Sequence, residues 1–135
     1  MPVLFEWLFF RETATNCYAK IKFVDSSKKE FIMRGRWTNS PQITELAETN
    51  RFTTMLYPDP INIKSEERGE VLDCIVQFQG ESEAYGWNNE AYFNHWRTPA
   101  YKLTNGQYRI FVTVTSQNGT EASKEFKLMV NCVFR

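Results

Sequence analysis

The sequence predicts an all-β fold, an antiparallel sandwich of about seven strands with Greek-key connections, formed as one domain by residues 1–135. Two observations favour this class. Several runs alternate between apolar and polar side chains with a period of two, which is typical of strands with one face on a core. Clusters of Gly, Pro, Asn and Asp separate these runs, and the sequence shows no internal repeat, linker or low-complexity tract.

The composition indicates a packed globular protein. Of the 135 residues, 42% are hydrophobic and 16% are aromatic, and a chain of this size buries about two-thirds of its unfolded surface without disulfides or metals. The formal net charge is zero, although residues 16–37 carry six basic against two acidic side chains and residues 45–90 carry ten acidic against three basic ones. We interpret these charges as solvated faces, and the balance argues against a nucleic-acid partner.

Residues 2–10 form a strongly apolar stretch at the start of the chain. The stretch lacks the basic leader and small-residue cleavage site of a signal peptide, and it has about half the length of a membrane span. We therefore predict a first strand at the edge of the sandwich and no membrane span. The alternatives are an exposed interaction arm, in which Trp7, Phe9 and Phe10 mark a partner surface, or a remnant that follows a membrane segment.

Residues 16–25 and 31–37 are predicted to pair as a hairpin around a polar turn at residues 25–30. In the first strand, the apolar face consists of Cys17, Ala19, Ile21 and Phe23. In the second strand, one face carries Phe31, Met33, Gly35 and Trp37, and the opposite face carries Ile32, Arg34 and Arg36. Pro41 follows this strand and is expected to stop it, because proline cannot donate to a ladder.

The middle of the chain has a less regular pattern. Residues 42–57 combine a helical spacing of apolar side chains with threonines that disfavour a helix, so a short helical turn or an irregular crossover is expected. After the turn at residues 58–60, residues 61–63 suit a short strand. Residues 70–80 alternate again, which predicts one central strand with Leu72 and Cys74 on its apolar face.

The clearest pattern predicts a second hairpin formed by residues 108–115 and 125–130. Asn118 and Gly119 lie between the two runs and supply residues that tolerate positive φ. The side chains expected to face the core are Tyr108, Ile110, Val112, Val114, Phe126, Leu128 and Val130.

Just upstream of this hairpin, residues 103–108 read L-x-x-G-x-Y. The motif resembles the corner where immunoglobulin-like β-sandwiches enter their F strand and the tyrosine hydroxyl bonds to upstream backbone. The strand rhythm, with Ala14-x-Asn16-Cys17 before one strand and Gly35-Arg36-Trp37 ending the next, is also similar to prokaryotic adhesion-type modules such as CARDB domains. Those modules often begin with an Asn-x-Gly turn, and residues 11–14 depart from it. The resemblance implies an immunoglobulin-like sandwich of prokaryotic origin.

The three cysteines are Cys17, Cys74 and Cys132, so at least one is unpaired, and none has the spacing of a zinc or redox motif. An immunoglobulin-type bridge places its second cysteine two residues after the corner tyrosine, and that position is Ile110. Cys17 and Cys74 lie on apolar strand faces, which favours buried, reduced thiols, with a bridge between them as the alternative. Reduced thiols fit a cytoplasmic or cytoplasmic-facing location.

Residues 80–99 form a connection for which no secondary structure is predicted, and connections of this length are often functional. The candidate binding residues are Tyr85, Trp87, Asn88, Asn89, Tyr92, His95, Trp96 and Arg97. Aromatic rings beside Asn and Arg suit a protein partner or the stacking of a sugar. One alternative is a plug that covers the open end of the sandwich. Another is a calcium site with oxygen ligands from Glu81, Glu83, Asn88, Asn89 and Glu90.

We predict no catalytic residues. The sequence has no nucleophile elbow, no Gly-rich phosphate loop and no paired histidines, and a lone His95 beside Trp96 is more often a packing residue. The prediction is a non-catalytic binding or assembly module, without cofactor or metal, that recognises a protein through residues 80–99. One alternative is a carbohydrate-binding module, which needs coplanar faces from two of Tyr85, Trp87 and Trp96. The other is a structural accessory subunit that pairs with a neighbour through its N-terminal strand, for example in a homodimer.

Overall fold

A computed structural model describes residues 3–5, 14–40, 60–63, 70–119 and 121–131. These residues form an all-β structure in which each strand pair is antiparallel. The strands are β1 (Val3–Phe5), β2 (Ala14–Asp25), β3 (Glu30–Arg34), β4 (Arg36–Trp37), β5 (Ile61–Ile63), β6 (Glu70–Asp73), β7 (Ile75–Val76), β8 (Ala84–Gly86), β9 (Lys102–Leu103), β10 (Gly106–Thr115) and β11 (Glu121–Val130). Two 3-10 helices span Asn89–Asn94 and Pro99–Tyr101.

The large sheet has the strand order β11-β10-β2-β3, and β5 pairs with the start of β2. Both predicted hairpins are confirmed, with Ile21 opposite Met33 and Ile110 opposite Phe126. The turn of the second hairpin contains Gly119 at φ 84°, as its sequence predicted. The long alternating runs therefore form one continuous face that packs on the core.

The corner before β10 also forms as predicted. The Tyr108 hydroxyl donates to the Thr104 carbonyl oxygen at 2.9 Å. The ring of Tyr108 is buried, so this bond gives a partner to a hydroxyl that would otherwise be desolvated alone.

Two predicted strands are each divided between two sheets. Residues 31–37 form β3 in the large sheet and β4 in a second sheet of order β1-β6-β4, and the change falls at Gly35. The Gly35 N–H donates to the Ala19 carbonyl oxygen at 2.8 Å. A Cβ at Gly35 would lie 3.0 Å from both Ala19 Cβ and Leu72 Cδ1, so a side chain here would need the neighbours to move. The close approach explains why the strand changes sheets at a glycine.

The single central strand predicted for residues 70–80 is wrong. It forms β6 in the second sheet and β7 in a third sheet of order β7-β8-β9, with Cys74 between them, and β7 ends at Val76. The alternation does not continue across Cys74 in the structure, since Leu72, Asp73 and Cys74 are all buried and Ile75 and Val76 are both half-buried. A period of two in the apolar side chains indicates an extended backbone, but it does not indicate which neighbouring strand that segment pairs with.

Arg36 and Asp73 form a buried ion pair that the sequence pattern does not predict. Their Cα atoms are opposite each other on β4 and β6, and Arg36 Nη1 lies 2.6 Å from Asp73 Oδ2. Asp73 Oδ1 also accepts the Thr38 hydroxyl at 2.8 Å. Arg36 lies on the face of β4 that is predicted to point away from the core, and it is buried as well. Burial of the two charges is tolerated because they are paired and hydrogen-bonded.

One hydrophobic cluster connects the three sheets. It combines Ile21, Phe23 and Ile110 of the large sheet with Leu72 of the second sheet and Leu103 of the third. The short strand at residues 61–63 is confirmed as β5, and β1 agrees with part of the predicted N-terminal strand. The predictions for residues 42–57, for the rest of residues 2–10 and for Cys132 lie outside the described residues.

Candidate binding site

The segment at residues 80–99 has its own secondary structure, so the prediction of an irregular connection is wrong. Strand β8 pairs with both β7 and β9, and a 3-10 helix follows at Asn89–Asn94. These elements are three to six residues long, which is too short for apolar periodicity to reveal them.

Asn88 fixes the start of the helix. Its side-chain oxygen accepts the Ala91 N–H at 3.2 Å, and its side-chain nitrogen donates to the Arg34 carbonyl oxygen at 3.1 Å. Asn88 and the neighbouring Asn89 are 1% and 2% exposed, so neither side chain reaches the surface at which we predicted a contact. Asn88 instead serves as the N-cap of the helix.

The end of the helix turns back through two residues in the left-handed region, His95 at φ 51° and Trp96 at φ 66°. The Trp96 N–H donates to the Ala91 carbonyl oxygen at 2.7 Å, and the His95 N–H donates to the Tyr92 carbonyl oxygen at 3.2 Å. Neither residue is glycine, and such a conformation costs about 1–3 kcal/mol each. The turn places the Trp96 ring against the rings of Trp87 and Tyr92.

These three residues, Trp87, Tyr92 and Trp96, form what we call the aromatic cluster. The Trp87 and Trp96 ring centroids are 6.0 Å apart at 86°, and those of Tyr92 and Trp96 are 5.7 Å apart at 75°. Edge-to-face contact is a favourable arrangement for aromatic rings. All three side chains are half-buried, so each keeps some surface in contact with solvent.

The perpendicular rings bear directly on the carbohydrate alternative. That alternative requires coplanar faces from two of Tyr85, Trp87 and Trp96. Trp87 and Trp96 are close to a right angle, so this pair does not form a flat platform for a sugar ring.

Arg97 lies beside the cluster and contacts Phe78, Glu81 and the His95 carbonyl oxygen, to which its Nη1 donates at 3.0 Å. Its guanidinium carbon is 4.1 Å from the Phe78 ring centroid, and Nη2 lies 2.7 Å from Glu81 Oε1. The hydrogen bond to Glu81 raises the pKa of Arg97 above its usual value. Arg97 therefore presents a charged group in a fixed position that is partly exposed.

Four of the predicted residues, Tyr92, His95, Trp96 and Arg97, line one open depression of about 430 Å³ together with Phe78. Phe78 is not among the predicted binding residues, because the alternation of residues 70–80 predicts its side chain on the apolar face of that strand, with Leu72 and Cys74. We call this feature the aromatic depression. Tyr85 does not line it, and the Tyr85 hydroxyl instead donates to Glu83 Oε2 at 3.2 Å.

The oxygen ligands considered for calcium do not converge. Glu81 pairs with Arg97, Glu83 lies 3.0 Å from Lys102 Nζ, and Glu90 accepts the Tyr101 hydroxyl at 3.2 Å. Among the described residues, no group of three or more His, Cys, Asp or Glu side chains is placed to hold a metal ion. The carboxylates that prompted this alternative are used by neighbouring cations and a tyrosine.

Cys17 and Cys74 are both buried and free. Burial raises the pKa of Cys17 to about 11 and that of Cys74 to about 12. Both therefore remain protonated at neutral pH, when a nucleophilic cysteine needs its thiolate form.

No family model, curated protein or solved structure matches the chain. Its class therefore rests on the fold itself, which is all-β and built from open antiparallel sheets around one hydrophobic cluster. In the part of the chain that the structure describes, no helix is both long and apolar enough to cross a membrane.

Proposed function

We propose that the chain is a non-catalytic binding module that recognises a protein partner through the aromatic depression. The observation that carries this proposal is the aromatic cluster, whose half-buried rings lie beside an open depression with Arg97 at its margin. Tryptophan, tyrosine and arginine are the residues that most often dominate the binding energy of protein interfaces.

The anchoring of the segment supports the proposal. The Trp87 N–H donates to the Cys74 carbonyl oxygen at 3.0 Å, and Asn88 bonds the segment to Arg34 of β3. Rings that are already held in place lose less conformational freedom when a partner binds. The two left-handed residues His95 and Trp96 add to this support, since strained backbone is more frequent at functional sites.

The ring geometry favours protein over carbohydrate. A protein side chain can enter a depression lined by rings at a steep angle, such as Tyr92 and Trp96 at 75°. A sugar instead stacks on an exposed flat face, and Trp87 and Trp96, at 86°, do not form one. The accessory-subunit alternative has less support, because β1, an edge strand of its sheet, spans only Val3–Phe5 and offers few backbone groups for pairing with a neighbour.

We also propose that the three sheets belong to an immunoglobulin-like sandwich, similar to the prokaryotic adhesion-type modules. The bond from the Tyr108 hydroxyl to the Thr104 carbonyl oxygen supports this, as does the cluster that packs the large sheet against the other two. The prokaryotic origin and the reducing location stay predictions.

The test is an affinity capture from a lysate of the source cells with three immobilised proteins. These are the wild type, Trp96→Gly and Tyr18→Ala. Glycine removes the Trp96 ring and accepts its positive φ without strain, so the helix end is kept. Tyr18 is 48% exposed on the large sheet, and its variant controls for the loss of a surface aromatic ring elsewhere.

We expect a partner that the wild type and Tyr18→Ala retain and Trp96→Gly loses, with unchanged circular dichroism for all three proteins. Equal retention by all three would exclude the aromatic depression as the contact. If no protein is captured and a glycan array binds the wild type, the carbohydrate alternative replaces the proposal. Capture of nothing in either assay would favour the plug.

A further inference from the structure

Strand β11 forms one edge of the large sheet over ten residues, Glu121–Val130. Within the described ranges, β10 is the strand that pairs with it. An edge of this length presents a row of backbone groups that can pair with another strand.

The hydrogen bonds of the large sheet show which residues of β11 face this edge. The N–H and C=O of one residue point to the same side of a strand, and the side alternates along the strand. The Ala19 oxygen accepts the Gly35 N–H, so the odd-numbered residues of β2 point towards β3 and the even-numbered ones towards β10. Through the pairs Lys22 with Phe111 and Ile110 with Phe126, the odd-numbered residues of β11 then point away from β10, to the edge that is free among the described residues.

We propose that two copies of this chain pair β11 against β11, antiparallel, around a two-fold axis at Phe126. The outward-pointing residues of each copy then face one another, as an antiparallel ladder requires. The four strands β11, β10, β2 and β3 of each copy become one continuous sheet. This interface lies on a different part of the chain from the aromatic depression, and it goes beyond the proposed function.

The charge pattern of β11 selects this register. With the axis at Phe126, Glu125 lies opposite Lys127 of the second copy, and symmetry repeats the pair. Phe126 lies opposite itself, and Ala122 lies opposite Val130, so apolar side chains also meet on the core face. An axis at Lys124, Glu125 or Lys127 would instead place two like charges directly opposite each other, which is unfavourable.

Lys124 is compatible with this arrangement. It lies on the same face as Phe126, with its amine 5.3 Å from the Phe126 ring centroid, and it is exposed. A lysine on this face of an edge strand discourages unspecific pairing. In the proposed register it lies diagonally across from Phe126 of the second copy, where a cation–π contact is within reach. The two-fold contact occupies both β11 edges, so pairing through β11 ends at a dimer.

The first experiment is sedimentation equilibrium of the full chain over a range of concentrations. We expect a species of twice the 15.9 kDa monomer mass, in equilibrium with monomer. The key variant is Lys127→Pro. The Lys127 N–H points to the free edge, so proline there removes a donor that the dimer uses and β10 does not. We expect this variant to remain monomeric with an unchanged circular dichroism spectrum.

Charge reversal tests the register. Lys127→Glu places the new carboxylate of each copy opposite Glu125 of the other copy. This repulsion should raise the dimer dissociation constant on the order of tenfold. The double variant Glu125→Lys with Lys127→Glu restores opposite charges and should restore the dimer. A wild type that stays monomeric at all concentrations, a dimer that survives Lys127→Pro, or a double variant no tighter than the single one would each overturn the proposal.

Discussion

The large sheet and the region formed by β4, β6 and the first 3-10 helix are stabilised in different ways. The buried side chains of β2, β3, β10 and β11 are hydrophobic. The buried polar or charged side chains of the described residues are Arg36, Asp73, Asn88 and Asn89. They lie on β4, on β6 and at the first 3-10 helix, which together we call the polar-core region. Regular burial of apolar side chains therefore stabilises the large sheet, whereas individual hydrogen bonds and one ion pair hold the candidate site in position.

The largest effect is expected at the ion pair of the polar-core region. Asp73→Ala leaves the Arg36 guanidinium buried without its carboxylate, and breaking such a pair costs about 3–5 kcal/mol. Chemical denaturation of the variant and the wild type measures the loss in the free energy of unfolding.

Arg109→Ala is the matched control for this prediction, because it breaks the exposed pair with Glu125 on the large sheet from the β10 side. Exposed pairs contribute little to stability, so we expect a far smaller change. An equal loss in the free energy of unfolding for both variants would show that the buried ion pair contributes no more to stability than the exposed one.

An intermediate effect is expected at the N-cap of the helix. Asn88→Ala removes the acceptor of the Ala91 N–H and the donor to the Arg34 carbonyl oxygen, both at buried or partly buried positions. We expect a loss of about 2 kcal/mol. Asn94→Ala, in the same helix but exposed, is the control, since its amide makes one long contact of 3.4 Å with Thr98. Thermal unfolding that shifted equally for the two asparagines would contradict the role of Asn88.

The smallest effect has the opposite sign. His95 adopts φ 51° at the end of the helix and is exposed, so glycine relieves strain there without leaving a cavity. His95→Gly is expected to stabilise the protein by about 0.5–1 kcal/mol. Thermal unfolding checks this, and a lower midpoint would show that the histidine side chain makes a stabilising contact that outweighs the strain.

The two hairpins of the large sheet could be predicted because their signals are local and repeated, whereas the pairing of β10 with β2 that joins them was not predicted. The alternation in residues 108–115 and the turn at Asn118 and Gly119 define a hairpin without knowledge of any other segment. The switch of sheets at Gly35 and Cys74 could not be predicted in this way. It depends on contacts between β4 and β6, which are far apart in sequence, and extended backbone alternates equally in either sheet.

The sequence indicated which segment carries the candidate site, but it predicted the arrangement of the site residues only in part. The density of aromatic residues predicts a contact surface in 80–99, and Tyr92, His95, Trp96 and Arg97 of this segment line one depression. Asn88 and Asn89 are predicted to be binding residues, which requires them at the surface, but their side chains are buried. Phe78 joins the depression through a contact with Arg97 that no periodic pattern encodes.

The two single-residue junctions have a consequence for how the protein opens. Gly35 and Cys74 are each the one residue between strands of different sheets, so the chain links the three sheets in series. Because a single residue connects the two strands at each junction, local unfolding of β4 disturbs β3, and local unfolding of β6 disturbs β7. Amide protons in all three sheets should therefore exchange with solvent through shared opening events, as one cooperative unit, rather than sheet by sheet.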